Sequence, residues 1–156
     1  MQRTFPLVPK SNSKLMPGDF WGFNFAPNKF AAGRVIELPW QHGERDRRSF
    51  LAALMDWSGV APPNSQDIAG RKVLAQGSMH IRAFSFSGWA IDGNLDLVGD
   101  NLKPWMFRTA EFTRFVRVGL NKERLGTAEE LLNSPVYGGW GMTYIVELAR
   151  HRFRHN

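Results

Sequence analysis

The chain has 156 residues, of which 43% are hydrophobic and 13% aromatic, enough for one domain with an ordinary core and too apolar for a disordered segment. It has no cysteine, which excludes disulfides and thiolate metal sites, and no run approaches the ~20 apolar residues that a membrane-crossing helix needs. Lys and Arg outnumber Asp and Glu by 20 to 14, a formal net charge of +6, which implies an anionic partner only where the charge gathers on one surface.

The first segment, residues 1–17, carries Pro6, Pro9 and Pro17 around a Ser-Asn-Ser spacer and predicts an extended arm, with Phe5, Leu7 and Val8 able to pin it to the body. It lacks the uninterrupted apolar stretch of a signal peptide, so a cytoplasmic protein with no membrane association is expected. Residues 18–156 then read as a single β-rich domain. From Asp19 to Ala26, Trp21, Phe23 and Phe25 share one parity and therefore one face of a strand. Pro27 and Asn28 supply a turn, and Phe30 to Glu37 resumes as a second strand in which Gly33 marks a close approach or a bulge.

The segment LPWQHGERDRR is a connection, mixed in charge at Glu44 to Arg48. SFLAALMDW, from Ser49 to Trp57, is nearly all apolar; its composition suits a helix, and its lack of alternation suits a buried central strand. A short helix is expected at SQDIAG, with Ser65 as its cap and Gly70 as its stop. Gly77 to Gly88 alternates as a strand, with a change of parity at Ala83-Phe84 that suits a bulge. Asp92-Gly93 predicts a hairpin turn, and PWMFRT and TRFVRVG predict two further short strands. Thr127 and Glu130 form the pattern of a capping box ahead of a short helix. Met142, Ile145, Val146, Ala149 and Phe153 then fall at helical spacing and predict a final amphipathic helix.

Residues that carry chemistry are few. No zinc-protease, nucleophile-elbow or phosphate-loop motif is present, so no catalytic residue, metal site or cofactor is assigned. His151 and His155 stand at i, i+4 without a nearby carboxylate, a weak metal pattern at a chain end. His80 and Arg82 share one strand face in this reading, with Ser85 and Ser87 beyond them, and define a minor ribonuclease-like alternative. Gly18-Asp19 reads as a structural opening to the first strand, with Arg34 as the expected partner of Asp19 across the hairpin.

The stretch GDFWGFNFAPNKFAAGRVI resembles the opening of the immunity protein 26 family of bacterial polymorphic-toxin systems, through Gly18, Asp19, Phe20, Phe30, Gly33, Arg34 and Val35. FLAALMDW, the Trp89 and Gly93 of SGWAIDGNLDL, and VYGGWGMTYIVELARHR extend the likeness. The resemblance implies a non-enzymatic antidote that binds and neutralises a co-encoded toxin, and it implies that SFLAALMDW is a strand. Inhibitors that plug the basic cleft of a nuclease are usually acidic, so the positive charge of this chain points to a neutral or acidic surface on the toxin, or to binding away from a nucleic-acid cleft.

The expected fold is mainly β (α+β). It is a curved antiparallel sheet or small SH3-like barrel of about six or seven strands, with a C-terminal amphipathic helix packed on it. Helices are expected near 65–70, 127–134 and 142–153. The partner-binding candidates are Trp40, Arg47, Arg48, Trp105 and Trp140, on predicted loops, because aromatic and Arg side chains anchor interfaces. The alternative function is nucleic-acid binding through Arg82, Arg114, Arg117 and neighbouring rings.

Overall fold

The computed structural model describes residues 3–43 and 46–154. In chain order the strands are β1 (Asp19–Ala26), β2 (Lys29–Glu37), β3 (Ser49–Gly59), β4 (Val73–His80), β5 (Gly93–Asn94), β6 (Met106–Arg108), β7 (Phe115–Val118), β8 (Arg124–Leu125) and β9 (Gly139–Trp140). The helices are α1 (Ser65–Ile68), α2 (Arg82–Ser87), α3 (Ala128–Asn133) and α4 (Tyr144–Phe153).

Six strands form one mixed sheet in the order β5-β1-β2-β3-β4-β9, in which only β9 runs parallel to its neighbour. A second sheet has the order β6-β7-β8. The fold is mainly β, with α4 packed on the large sheet, as expected, but the sheet does not close into a barrel. The reason lies in what covers it. On one face Trp21, Phe23, Phe25, Phe50 and Leu54 pack with α2 and α4 through Phe84, Ile145, Ala149 and Phe153. On the other, Phe20, Ile36, Leu51, Ala53 and Met55 meet Ile68, Leu97 and Phe107. With both faces covered, closure is not needed to bury the apolar surface.

The same arrangement explains β3. It lies between β2 and β4, and its residues Phe50 to Met55 are buried whichever way they point, so a central strand needs no alternation. The first hairpin forms as its pattern requires: Trp21, Phe23 and Phe25 lie on one face, and Asn28 turns the chain with φ 58. Gly33 is paired with Trp21, and the indole lies where a Cβ on Gly33 would project.

Three local expectations are corrected. The segment after His80 is not a bulged strand but helix α2: Ala83 and Phe84 are buried, and the helix stops at Gly88 with φ 72. The parity change at Ala83-Phe84 was the start of a helical period. Asp92-Gly93 is not a hairpin turn; Gly93 begins β5 and pairs with Phe20, whose ring lies against it. Helix α1 is capped by Asn64 rather than Ser65, because the Asn64 side chain accepts from the N–H of Asp67, which returns a bond to the N–H of Asn64. The capping box at Thr127 and Glu130 forms as read.

The described part of the N-terminal arm lies against the domain. Leu7 bridges Ile91, and both Asn12 and Leu15 are buried.

Candidate interaction surface

The Gly-Asp opening of β1 is a buried polar joint. The two carboxylate oxygens of Asp19 accept from the guanidinium of Arg3, each at 2.6 Å. They also accept from the side-chain amide of Asn94 at 2.9 Å and the N–H of Met16 at 2.9 Å. Arg34 is not its partner. Arg34 pairs with Phe20 across the hairpin, so it projects to the face opposite that of Asp19. There it meets Asp100 at 2.7 Å and donates to the carbonyls of Leu95 at 2.5 Å and Asp96 at 3.2 Å. Both side chains are fully enclosed, and each ties β1 or β2 to a distant segment. Gly18 belongs to the same joint: it donates to Val35 and its carbonyl accepts from Leu95. Trp89 packs its ring against Phe23 and Trp21. The six motif residues Gly18, Asp19, Gly33, Arg34, Trp89 and Gly93 therefore build the scaffold around β1.

A third polar joint was not anticipated. Glu37, at the end of β2, accepts from the N–H of Leu120 at 2.6 Å and meets the imidazole of His42 at 2.8 Å. It links the large sheet to the loop after β7. Its sequence signal was a carboxylate closing an apolar strand, which suits a buried acceptor as well as a solvated end.

One end of the large sheet carries exposed charge. β2 leaves it, β3 starts there at Ser49, and β4 ends opposite at His80. The connection from β2 to β3 begins with a 3-10 turn at Pro39–His42 that leaves Trp40 48% exposed. It returns through Arg47 and Arg48, both exposed, and Arg82 is exposed at the start of α2 just beyond β4. Glu44 and Arg45, part of this connection, lie outside the described residues, as does His155 of the suggested metal pair.

The main chain beneath these side chains is fixed. The N–H of Asn12 donates to the carbonyl of Arg47 at 3.0 Å, and that of Ile81 to the carbonyl of Arg48 at 2.6 Å. The buried amide of Asn12 donates to the carbonyls of Asp46 at 3.0 Å and Ser49 at 2.8 Å. Asp46 accepts from the Ser49 hydroxyl and from the N–H of Arg48. These bonds, the hydroxyl foremost, hold its carboxyl below the ordinary value. Among the described residues, the end thus presents three exposed guanidiniums on a braced backbone, against one exposed carboxylate already engaged locally. His80 uses Nδ1 to accept the N–H of Arg82 at 3.0 Å, as a cap on the turn into α2.

The remaining candidates fall elsewhere. Trp140, expected on an exposed loop, is in β9 and 8% exposed, because its indole covers Gly77 of β4. Trp105 is half-buried against the second core cluster, and its main-chain N–H donates to Oε1 of Gln76 at 2.9 Å. Arg82, Arg114 and Arg117 do not share one face: α2 packs with the Trp21 cluster, whereas β7 pairs with β6, whose Phe107 belongs to the opposite cluster. Arg117 is stacked over Tyr137 at 4.2 Å and donates to the carbonyl of Gly119. Ser85 and Ser87 lie on α2 rather than on a strand face with His80.

Among the described residues no group of three or more His, Asp or Glu side chains is placed to hold a metal ion, and no helix is long and apolar enough to cross a membrane. No family model, curated protein or solved structure matches the chain.

Proposed function

We propose that this protein is a non-enzymatic immunity protein that binds and neutralises a cognate bacterial toxin, and that the basic end of the large sheet is its contact surface. The observation that carries the reading is the grouping of exposed Arg47, Arg48 and Arg82 beside a connection that also exposes Trp40, on a backbone braced by buried Asn12. A rigid platform of this kind costs little entropy on association, and Arg with Trp is the side-chain chemistry of interface anchors. Its charge suits an acidic surface on the partner. The likeness of the first hairpin to the immunity protein 26 family supports the same reading.

Nucleic acid is the other anionic partner to consider. The division of Arg82 from Arg114 and Arg117 across the two faces disfavours a continuous phosphate-tracking groove. The test is co-expression with the toxin encoded beside the protein. Protection by the wild-type chain, lost when Arg47, Arg48 and Arg82 are changed together to Glu, supports the proposal. Absence of protection and of any complex with the toxin contradicts it. Tight, steeply salt-dependent binding to RNA or DNA would favour the alternative instead.

A further inference from the structure

The outer edge of β1 is only half covered. β5 pairs with it at Asp19 and Phe20 and nowhere beyond, because the chain ahead of β5 turns away at Asp92. The alternation that directs the main-chain groups of Phe20 toward β5 directs those of Gly22 and Asn24 to the same side. The N–H of Gly22 is met by Oδ2 of Asp92 at 2.6 Å, a side chain standing in for the missing strand. From Asn24 onward the edge has no strand partner among the described residues.

A cleft of about 400 Å³ lies along this edge. Gly22 and Asn24 form its floor. Pro62 stands on one side, where the Pro62-Pro63 pair packs against Gly22. Ser87, Gly88 and Trp89 stand on the other, where the Trp89 ring lies 5.3 Å from that of Phe23. Asp92 closes one end. Its other oxygen, Oδ1, has no partner among the described residues, and no basic side chain pairs with it. An unpaired strand edge is a template for another strand, and a slot with walls on both sides limits what can enter it to a single extended chain.

We infer that this slot binds an extended peptide segment of a partner protein, which adds to the β1 edge as a strand and places a Lys or Arg side chain against Asp92. The unpaired edge supplies main-chain bonds, and the lone carboxylate supplies the charge preference in a molecule that is otherwise basic. Burial pushes the Asp92 carboxyl up from its ordinary value, a cost that an arriving cation would offset. The inference uses none of Arg47, Arg48 or Arg82 and stands or falls apart from the reading above.

The test pans a library of random short linear peptides displayed on phage against the full chain, then measures the affinity of the enriched peptide as a synthetic molecule. Enrichment of β-branched sequences with Lys or Arg at one fixed position is expected. Asp92→Asn, whose amide oxygen still accepts from Gly22, should weaken binding about tenfold through loss of the charge pair. N-methylation of the peptide amides that face β1 should abolish binding, while methylation of the alternate set should not. The bound peptide should shift the amide resonance of Asn24 and the indole resonance of Trp89. Failure to enrich any peptide, affinity indifferent to Asp92→Asn, or affinity indifferent to both methylation patterns would overturn the inference. So would a concentration-dependent dimer of the chain that pairs through this edge and excludes the peptide.

Discussion

Asp19 and Arg34 show how two charged residues become core. Each lies in a strand of the first hairpin, each is wholly enclosed, and each bonds a charged partner distant in sequence, although Nε of Arg34 has no partner among the described residues. Removing Asp19 takes the acceptor from the N–H of Met16 and one bond from the Asn94 amide, while Arg3, 22% exposed and still bonded to the Lys14 carbonyl, can turn to water, so the cost is about 1–3 kcal/mol. Asp19→Ala is therefore expected to lower stability by that order in a urea melt. An unchanged midpoint would mean that Arg3, Asn94 and Met16 find equal partners without it. Close approach makes a second prediction at this scale. Gly33→Ala drives a methyl group into the Trp21 indole, and Gly77→Ala drives one into Trp140. Overpacking of this kind costs roughly 1–3 kcal/mol, so both variants should unfold at lower urea than wild type.

Helix α3 is held by its cap rather than by a buried face, since none of its residues is buried. Thr127→Ala is expected to destabilise it by about 1 kcal/mol, read as faster amide exchange across residues 128–133. Glu130 accepts from Arg124 and from the N–H of Thr127, and these bonds lower its pKa from 4.5 to about 2. A depressed acid contributes stability above its unfolded pKa and loses it as pH falls through the folded one. The contribution of these bonds should therefore fade as pH falls between these two values, and Arg124→Ala should raise the titration midpoint of the Glu130 carboxyl, measured by NMR. Asp92 has the opposite sign. Its carboxyl is raised by burial, against a smaller opposing effect of the Gly22 N–H, so its charge costs stability once pH exceeds the unfolded value. Asp92→Asn should be no less stable than wild type at neutral pH, and relatively less favourable in acid, where the wild-type carboxyl is neutral. Urea melts at the two pH values decide it.

How far these elements could be read from sequence depends on how local their causes are. The hairpin, the Thr127 capping box and the spacing of α4 rest on contacts within one element, and all three were legible. The composition of β3 left strand and helix open, because a buried central strand and an apolar helix look alike until the neighbours are known, and the strand implied by the family resemblance is the one that forms. Helix α2 was hidden for a related reason: Met79 and Ile81 alternate as a strand should, and only Phe84 breaks the pattern. The partner of Asp19 was misjudged because register, not proximity in the hairpin, decides which face a side chain meets. At the surface, Trp40, Arg47 and Arg48 were found as exposed residues of a loop. Trp140 was not separable from them, since nothing near it in sequence announces the Gly77 that it covers.

For the whole molecule, the two-faced sheet divides scaffold from surface. Helices α2 and α4 cover one face and the β6-β7-β8 region covers the other, which leaves the ends and edges of the sheet for contact with partners. The basic end is the surface that we propose meets a toxin. The most direct test is isothermal titration of the purified chain with the toxin that the proposal requires a neighbouring gene to encode, for the wild type and for the variant with Arg47, Arg48 and Arg82 all changed to Glu. The account predicts a one-to-one complex with the wild type and affinity reduced at least about a hundredfold in the variant, whose fold is unchanged by circular dichroism. No measurable binding by the wild type, or equal binding by both, would contradict it.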